Sequence, residues 1–218
     1  MKLEDLLVIS FDGLNRAGKG TQTKLLRELF ESEDYLVEVL RGDGSRPGQD
    51  SSDVYDPISS FWQQWQKIKN KSLANWNYAA EILRNENYLR CVEVSTEAKK
   101  RGQKGIVLLD RSPLSRWYML RKQDSFLPFE SCLKEPEVHP NLYFVLDVPK
   151  EVLLSRNSED NPEKAEFRRK VILTSYDHWT TTLELVPKQI KLYRLDGTKK
   201  RSEIHEEIKR IAEKTIYD

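Results

Sequence analysis

Cysteine and histidine are scarce in this sequence, and long apolar runs are missing from it. The chain contains two cysteines, Cys91 and Cys132, which are too few and too far apart in sequence to suggest a disulfide framework. Its three histidines show no spacing typical of metal ligands. No apolar run approaches the length of a membrane span, and the first residues lack the profile of a signal peptide. These absences favour a cytoplasmic protein that depends on neither disulfides nor a histidine-based metal site.

The sequence also lacks an excess of charge of either sign. Its 36 lysines and arginines nearly balance 35 aspartates and glutamates, which leaves a formal net charge of +1. Such a chain is not attracted as a whole to polyanions, so neither a nucleic acid nor a membrane surface is an expected partner. A chain of 218 residues can bury a large core and has the size of one α/β unit. We therefore expect residues 1–218 to form a single domain.

Apolar runs of strand length recur along the chain, at Leu6–Phe11, Leu36–Leu40, Gly105–Leu109, Leu142–Leu146 and Ile190–Leu195. Between them, apolar spacing predicts helices at about Thr21–Glu33, Ile58–Lys69, Leu73–Arg101, Leu114–Lys122, Lys150–Arg156, Glu163–Leu185 and Ser202–Lys214. This alternation predicts an α/β fold, with a parallel five-stranded sheet covered by helices on both faces. The polar stretches Arg41–Asp56 and Asn157–Pro162 are predicted to be loops, and the second has the character of a lid.

The first apolar run leads directly into a glycine-bounded segment with the sequence FDGLNRAGKGTQ. Gly13 and Gly18 permit dihedrals and close approaches that a side chain would block, so successive N–H groups can converge on anionic oxygens. The following helix adds its positive end, and Lys19 adds a mobile charge that can follow a transferred phosphoryl group. This pattern predicts a nucleotide-phosphate site in a P-loop NTPase three-layer sandwich. The predicted contacts to the nucleotide in this loop are Gly13, Asn15, Arg16, Ala17, Gly18, Lys19, Gly20 and Thr21.

A second chemical signal lies at the end of the third predicted strand, where Asp110 and Arg111 follow a buried apolar run. Ligands of open α/β sheets bind at the carboxyl ends of the strands, so both side chains should face the same crevice as the phosphate loop. Asp110 is then placed to hold Mg²⁺ through water, and Arg111 to grip a phosphate. Because Gly20 replaces the serine or threonine usual after the lysine, a direct hydroxyl ligand to Mg²⁺ must come from Thr21 or be replaced by water.

Four groups of residues occur in an order and at a spacing that point to one family. They are Phe11–Gly13 with Arg16–Lys19 and Thr21–Gln22; Leu108–Arg111 with Ser115; Leu146–Pro149 with Glu151, Val152 and Arg156; and Leu195–Thr198 with Ser202–Ile208. Over nearly its whole length the chain resembles the thymidylate kinase family of P-loop nucleoside monophosphate kinases. Members of this family move the γ-phosphoryl group of ATP onto the phosphate of a deoxynucleoside monophosphate with Mg²⁺, and they typically work as homodimers. The resemblance implies this fold and reaction here, most specifically the conversion of dTMP to dTDP.

The resemblance also implies roles for individual side chains. Lys19 should bridge the phosphates of the donor, and Arg16 should act on charge that develops at the transferred group. Together with Asp110, Arg111 and Arg156, which opens the lid, they form the expected catalytic set. The base of ATP should lie against a loop that contains Gly197 and Thr198. The expected substrate-binding residues are Asp12, Asn15, Arg41, Glu86, Arg90, Arg111 and Ser115, of which Arg41 and Arg111 contact the acceptor phosphate and Arg90 reads its base.

The acceptor site is where this sequence departs from the family. Asn15 replaces an aspartate that meets the sugar 3′-hydroxyl, so a charged acceptor becomes an amide. Glu86 stands where an aromatic ring would stack on the pyrimidine, an interaction of roughly 1–3 kcal/mol. Ser112 replaces the tyrosine that usually follows the Asp-Arg pair. These changes all fall on the acceptor site, whereas Arg16–Lys19 of the phosphate loop keep the family pattern.

Two other functions are compatible with these departures. The sequence from Asp110 to Ser115 also resembles the motif of deoxynucleoside kinases, which phosphorylate a 5′-hydroxyl and need a carboxylate base, here Asp43 or Asp12. A nucleoside carries no phosphate, however, and would leave Arg41, Arg90 and Arg111 with less to bind. A nucleotide-binding protein without turnover is the third hypothesis, and the intact set of Lys19, Arg16, Asp110 and Arg111 argues against it.

Overall fold

A computed structural model describes residues 6–40, 73–121, 128–129, 138–156 and 162–217. The strands are β1 (Leu6–Asp12), β2 (Leu36–Leu40), β3 (Gly105–Asp110), β4 (Leu142–Asp147) and β5 (Leu192–Asp196). The helices are α1 (Lys19–Ser32), α2 (Leu73–Arg101), α3 (Pro113–Arg121), α4 (Lys150–Ser155), α5 (Pro162–Glu184) and α6 (Arg201–Tyr217). Among these helices, none combines the length and the apolar character needed to cross a membrane.

The strands form one parallel sheet in the order β2-β3-β1-β4-β5. From β1 the chain passes to β2 and β3 on one side of β1, and it then continues to β4 and β5 on the other side. A crevice forms above a sheet where the strand order reverses in this way, at the carboxyl ends of the strands. That point lies at the end of β1, which carries the glycine-bounded segment, between the ends of β3 and β4.

Alternate residues of the central strands pack into two separate apolar clusters, because successive side chains of a strand point to opposite faces of the sheet. Ile9 and Phe11 of β1 belong to a large cluster with Phe30 of α1 and Ile208 of α6. The other face of β1 and β3 packs against α2 in a smaller cluster, which consists of Leu6, Val8, Leu40, Cys91, Val94, Val107, Leu109 and Val138. The predicted arrangement of a parallel sheet between two helical layers is thus confirmed.

The predicted strands all occur, and their bounds differ from the predictions by two residues at most. The largest difference is at β5, which begins at Leu192 rather than at Ile190. Ile190 is held in a turn, where its N–H donates to the carbonyl of Pro187 at 3.0 Å and its carbonyl accepts from the N–H of Leu192 at 2.8 Å. The predicted helix Ile58–Lys69 and the predicted loop Arg41–Asp56 lie outside the described residues.

Candidate active site

Two glycines shape the loop between β1 and α1. Gly13 has φ 140°, and a Cβ at this position would lie 2.9 Å from the carbonyl oxygen of Leu146 on β4. Gly18 has φ 103° and precedes the first residue of α1. Positive φ values of this kind are unfavourable for residues with a Cβ. At Gly13 the close approach to β4 also leaves no space for a Cβ. The glycine spacing therefore produces the tight turn that a phosphate-binding loop requires.

Lys19 is folded over this loop. Its Nζ donates to the carbonyl oxygens of Gly13 and Leu14, both at 3.0 Å, and only 8% of the residue is exposed. Lys19 is also the first residue of α1, where unpaired N–H groups and the helix dipole favour an anion. The ammonium group and the helix terminus thus face the same concave backbone, which is the arrangement required to bind a phosphate chain.

The tip of the loop is solvent-facing. Arg16 is exposed and has φ 69°, a left-handed conformation that is uncommon for residues other than glycine. Gly20 and Thr21 are exposed in the first turn of α1, whereas Ala17 is buried beneath the loop. The residues of this segment that are predicted to contact the nucleotide therefore lie on one loop and one helix terminus.

The end of β3 brings the second motif to this loop. Asp110 is half-buried at the last position of β3, opposite Phe11 in the register of the sheet. The next residue, Arg111, donates from Nη2 to Oδ1 of Asn15 at 2.8 Å, although 96 residues separate the two in sequence. An arginine that can bind a phosphate is thus held directly beside the phosphate loop. The amide of Asn15 is neutral and accepts this hydrogen bond through its oxygen, so the contact orients the guanidinium of Arg111 beside the loop.

Asp12 is the last residue of β1 and is buried. Its side chain is fully buried, and its carboxylate accepts from Ser112 N at 3.1 Å, Ser112 Oγ at 2.8 Å and Ser115 Oγ at 2.7 Å. Burial raises the pKa of the Asp12 carboxyl above its usual 3.8, and the hydrogen bonds from Ser115 and Ser112 oppose that change. Ser115 is also buried, with 1% of its surface exposed. Asp12 and Ser115 thus bond to each other inside the protein, and their predicted contacts with the substrate stay predictions.

A second loop follows β5 and contains Gly197 and Thr198. The N–H of Gly197 donates to the carbonyl of Asp147 at 2.8 Å, and the carbonyl of Gly197 accepts from Nη2 of Arg156 at 2.7 Å. A Cβ on Gly197 would approach Val148 Cγ2 to 2.3 Å, so only glycine fits at this point. Thr198 donates from both N and Oγ1 to Oδ1 of Asp196, and the hydroxyl hydrogen bond lowers the pKa of that carboxyl. Arg156, the residue predicted to open the lid, is thereby joined to the loop predicted to receive the base.

Three of the residues expected to bind the acceptor are not placed at the site by the structure. Arg90 lies on α2, where its Nη1 donates to Oε2 of Glu93 at 2.9 Å, and 43% of its side chain is exposed. Burial raises the pKa of the Glu38 carboxyl on β2, and the positive charge of nearby Arg90 partly opposes this change. Arg41 and the side chain of Glu86 lie outside the part of the chain that the structure describes. Their predicted contacts with the substrate stay predictions.

Two contacts at the site were not anticipated from the sequence. Ser112 was noted only as a replacement for tyrosine, yet its N–H and hydroxyl both bond to Asp12, and its Oγ accepts from the N–H of Leu114 at 3.0 Å. Gln22 donates from Nε2 to the carbonyl of Arg201 at 3.1 Å, which joins α1 to the start of α6. Neither contact has a local signal, because the partners are brought together only by the packing of distant elements.

The site offers oxygen ligands suited to Mg²⁺ but no complete cage for it. Asp110 lies at the end of β3, and Thr21 is exposed in the first turn of α1. Within the described ranges no group of three or more potential metal-binding side chains was found. Mg²⁺ at phosphoryl-transfer sites is held by one or two protein oxygens together with substrate phosphates and waters. One carboxylate and one hydroxyl beside a phosphate loop fit that requirement.

A glycine-rich phosphate loop on the central strand of a parallel sheet, with a lysine at the start of the following helix, defines a protein of the P-loop NTPase fold. The sequence profile of the thymidylate kinase family matches residues 11–208. The chain belongs to the thymidylate kinase family.

Individual relatives agree with this assignment. A thymidylate kinase from Thermosipho africanus (strain TCF52B) is 25% identical over 216 residues, which cover 96% of this chain and 99% of the relative. A thymidylate kinase from Sulfurihydrogenibium sp. (strain YO3AOP1) is 28% identical over 177 residues, or 75% of this chain and 78% of the relative. The crystal structure of a thymidylate kinase from Ehrlichia chaffeensis matches with a TM-score of 0.59 at 17% identity, covering 95% of this chain and 98% of that one. The last comparison supports the fold alone.

Proposed function

We propose that this protein transfers the γ-phosphoryl group of ATP to the phosphate of dTMP, with ADP and dTDP as products. The observation that carries the proposal is the position of Arg111, which is hydrogen-bonded to Asn15 of the phosphate loop at 2.8 Å. A guanidinium beside the donor loop is suited to hold an acceptor that itself bears a phosphate. Membership of the thymidylate kinase family and the names of the two relatives support dTMP as that acceptor.

The donor half of the reaction follows from the phosphate loop. Lys19 exchanges its hydrogen bonds with the carbonyls of Gly13 and Leu14 for bonds to phosphate oxygens, and the N–H groups at the start of α1 take up further charge. Exposed Arg16 at the loop tip turns inward to the transferred group. The base of ATP lies against the loop of Gly197 and Thr198, which Arg156 holds in place. Mg²⁺, bound by Asp110 and Thr21 with waters, supplies charge neutralisation when present.

The acceptor half needs positioning rather than a base. A phosphate monoester has a second pKa near ~6 and is mostly dianionic at neutral pH, so its oxygen is already a nucleophile. Arg111 orients and screens this dianion, and proximity to the donor then contributes the greater part of the rate. The described residues around Arg111 therefore match the requirements of a phosphate acceptor.

A hydroxyl acceptor is a poorer match for this geometry. Phosphorylation of a 5′-hydroxyl requires a carboxylate within hydrogen-bond reach of it. Asp12 is fully buried and accepts hydrogen bonds from Ser112 and Ser115. Asp43, the other candidate base, lies outside the described residues. The match to the thymidylate kinase family makes a deoxynucleoside kinase the less favoured function.

The proposal includes the organisation of the protein. We propose that residues 1–218 act as one domain with a lid at about residues 156–164, that the active form is a homodimer, and that it works in the cytoplasm. The single five-stranded sheet supports the first point, and the family resemblance supports the second. The scarcity of cysteine supports a reducing compartment. Sedimentation equilibrium of the purified protein tests the dimer.

The experiment that tests the function is an ADP-release assay with MgATP against a panel of nucleoside monophosphates and the matching nucleosides. Lys19→Ala serves as the blank. We expect turnover with dTMP and little with thymidine. Turnover with thymidine alone would overturn the proposal in favour of a deoxynucleoside kinase, and no turnover with any acceptor would indicate a nucleotide-binding protein. Turnover with a different monophosphate would retain the reaction class and replace the acceptor.

A further inference from the structure

The backbone of Arg111 is in an unusual conformation. Its φ is 74°, in the left-handed region that residues other than glycine rarely adopt. Such a conformation is maintained only where the surrounding structure determines it, and it occurs preferentially at functional sites. The question is therefore which contacts hold Arg111 in this conformation.

Two consecutive residues of β1 hold the peptide groups on either side of Arg111. The N–H of Arg111 donates to the carbonyl of Phe11 at 2.9 Å, which continues the ladder between β1 and β3. The next N–H, that of Ser112, donates to Oδ1 of Asp12 at 3.1 Å. Because φ and ψ of Arg111 are the rotations between these two peptide planes, fixing both planes fixes both dihedrals. The second plane is held by the carboxylate of Asp12.

The same carboxylate holds the residues that follow. Its Oδ2 accepts from Ser112 Oγ at 2.8 Å and its Oδ1 accepts from Ser115 Oγ at 2.7 Å. Ser112 Oγ in turn accepts from the N–H of Leu114, at the start of α3. Asp12, Ser112 and Ser115 are all buried, with 1% exposure or less. Hydrogen bonds to a buried carboxylate are shielded from water and are stronger than exposed ones.

We propose that Asp12 is a positioning residue that fixes the backbone of Arg111 and thereby aims its guanidinium at the acceptor phosphate. Asp12 makes no contact with the substrate. It acts through Ser112 and Ser115, and it determines the direction in which the Arg111 side chain leaves the end of β3 towards Asn15. This inference rests on the proposed function, in which Arg111 binds the phosphate of dTMP.

The first test separates positioning from a general loss of structure by steady-state kinetics. Asp12→Asn keeps the shape of the side chain but removes its charge and one acceptor. We expect the KM for dTMP to rise about tenfold, because a misaligned Arg111 would lose one charge-assisted hydrogen bond to the acceptor phosphate. The KM for ATP should stay unchanged. Ser115→Ala should act in the same direction, and Thr182→Val is the matched control, because it removes a buried hydroxyl that bonds within α5. An equal rise of both KM values, or none, would overturn the proposal.

A double-mutant cycle tests whether Asp12 acts through Arg111. Once Arg111→Ala has removed the guanidinium, Asp12→Asn should cause no further rise in the KM for dTMP. If the two effects multiply instead, Asp12 acts independently of Arg111 and the proposal fails. If Arg111→Ala leaves the KM for dTMP unchanged, the proposed role of Arg111 in binding dTMP fails, whatever the result for Asp12.

Thermal unfolding tests the backbone contact without any substrate. Because glycine accepts a left-handed φ and alanine does not, Arg111→Gly should unfold about 2–4 °C above Arg111→Ala. In the Asp12→Asn background this difference should disappear, because the backbone is then free to relax. A difference of the same size in both backgrounds would show that Asp12 does not hold the conformation and would overturn the proposal. This outcome is independent of whether the protein phosphorylates dTMP.

Discussion

At the scale of single residues, the candidate site depends on a few side chains that are fixed by hydrogen bonds and on glycines that no larger residue can replace without a collision. Lys19 is held by two carbonyls of the phosphate loop, and Arg111 is held by Asn15. Gly13 and Gly197 lie where a Cβ would collide with a neighbouring chain segment. Substitution of the charged side chains should therefore change activity, whereas substitution of the glycines should change stability, and the two effects can be measured separately.

Lys19→Ala should lower kcat while the protein stays folded. We expect a loss of roughly 10²–10³-fold, the usual effect of removing one group that stabilises developing charge. The matched control is Lys24→Ala, an exposed lysine on the same helix, which should leave kcat unchanged. The rates come from the ADP-release assay, and circular dichroism checks the fold. Normal turnover by Lys19→Ala would remove the phosphate loop from the mechanism.

Gly197→Ala and Gly20→Ala should change stability in opposite directions. The added methyl group at Gly197 would meet Val148 Cγ2 at 2.3 Å, so we expect a destabilisation of about 1–3 kcal/mol. At Gly20, in α1, no atom lies within 4 Å of the added methyl group, so we expect a stabilisation of about 0.5–1 kcal/mol. Urea unfolding measures both values. A neutral Gly197→Ala would mean that the loop after β5 can move aside.

At the scale of secondary-structure elements, the site is assembled where strands end. Gln22 ties α1 to α6, Arg156 ties the end of α4 to the loop after β5, and Asp12 ties β1 to the start of α3. These links join the loop after β1, the loop after β5 and the segment around Arg111, which are the proposed sites of the donor phosphates, the base of ATP and the acceptor phosphate. A change in the packing of one helix should therefore shift the loops that form the candidate site.

The contact between α1 and α6 should make stability depend on pH. Burial lowers the pKa of His205 on α6 below its usual 6.5; Lys209 and Arg201 act in the same direction, whereas Glu206 and Glu28 oppose it. In this case the unfolded chain binds the proton more readily, so the contribution of His205 to the free energy of unfolding is complete above pH 6.5 and is lost as the pH falls below that value.

The prediction is tested by urea unfolding over a pH series with the wild type and His205→Gln. The difference between their free energies of unfolding should decrease as the pH is lowered from 6.5 towards 5. His178→Gln, which removes an exposed imidazole from α5, is the control. A difference that does not change with pH would contradict the burial of His205 between these helices.

At the scale of the whole molecule, one sheet carries both the phosphate loop after β1 and Arg111 after β3, the proposed sites of donor and acceptor. Both apolar clusters share strands β1 and β3, so the two helical layers cannot separate without exposing the same sheet. We therefore expect the described sheet and its helices to unfold together. The balance of 36 basic and 35 acidic residues means that specificity for nucleotides comes from local geometry and not from the overall field.

Calorimetry should show a single unfolding transition that both substrates move to higher temperature. Each substrate at about 100 times its Kd should stabilise the protein by about 2.7 kcal/mol, because ligands bind the native state alone. Lys19→Ala should lose the shift caused by MgATP and keep the shift caused by dTMP. Two separate transitions would contradict a single domain, and loss of both shifts in the variant would indicate a damaged fold.

The sequence by itself determined the class of fold and the position of the phosphate loop. The apolar runs predicted all the strands, because strands buried on both faces must be apolar throughout. Glycine spacing and Lys19 predicted the phosphate loop, because its chemistry is contained within a dozen consecutive residues. The resemblance to the thymidylate kinase family, stated from four motifs, is confirmed by the match over residues 11–208.

Only the tertiary structure decided what Asp12, Ser112 and Arg111 do. Asp12 and Ser112 are 100 residues apart, and no local pattern records that their side chains meet. The family resemblance implied that Asp12 binds substrate. In the structure its carboxylate is buried and bonded to Ser112 and Ser115, from which we infer that it holds the backbone of Arg111. Apolar runs and glycine spacing are patterns of residues close together in the chain, so they can be recognised in the sequence. The direction of a side chain at a strand end depends instead on which strand lies beside it.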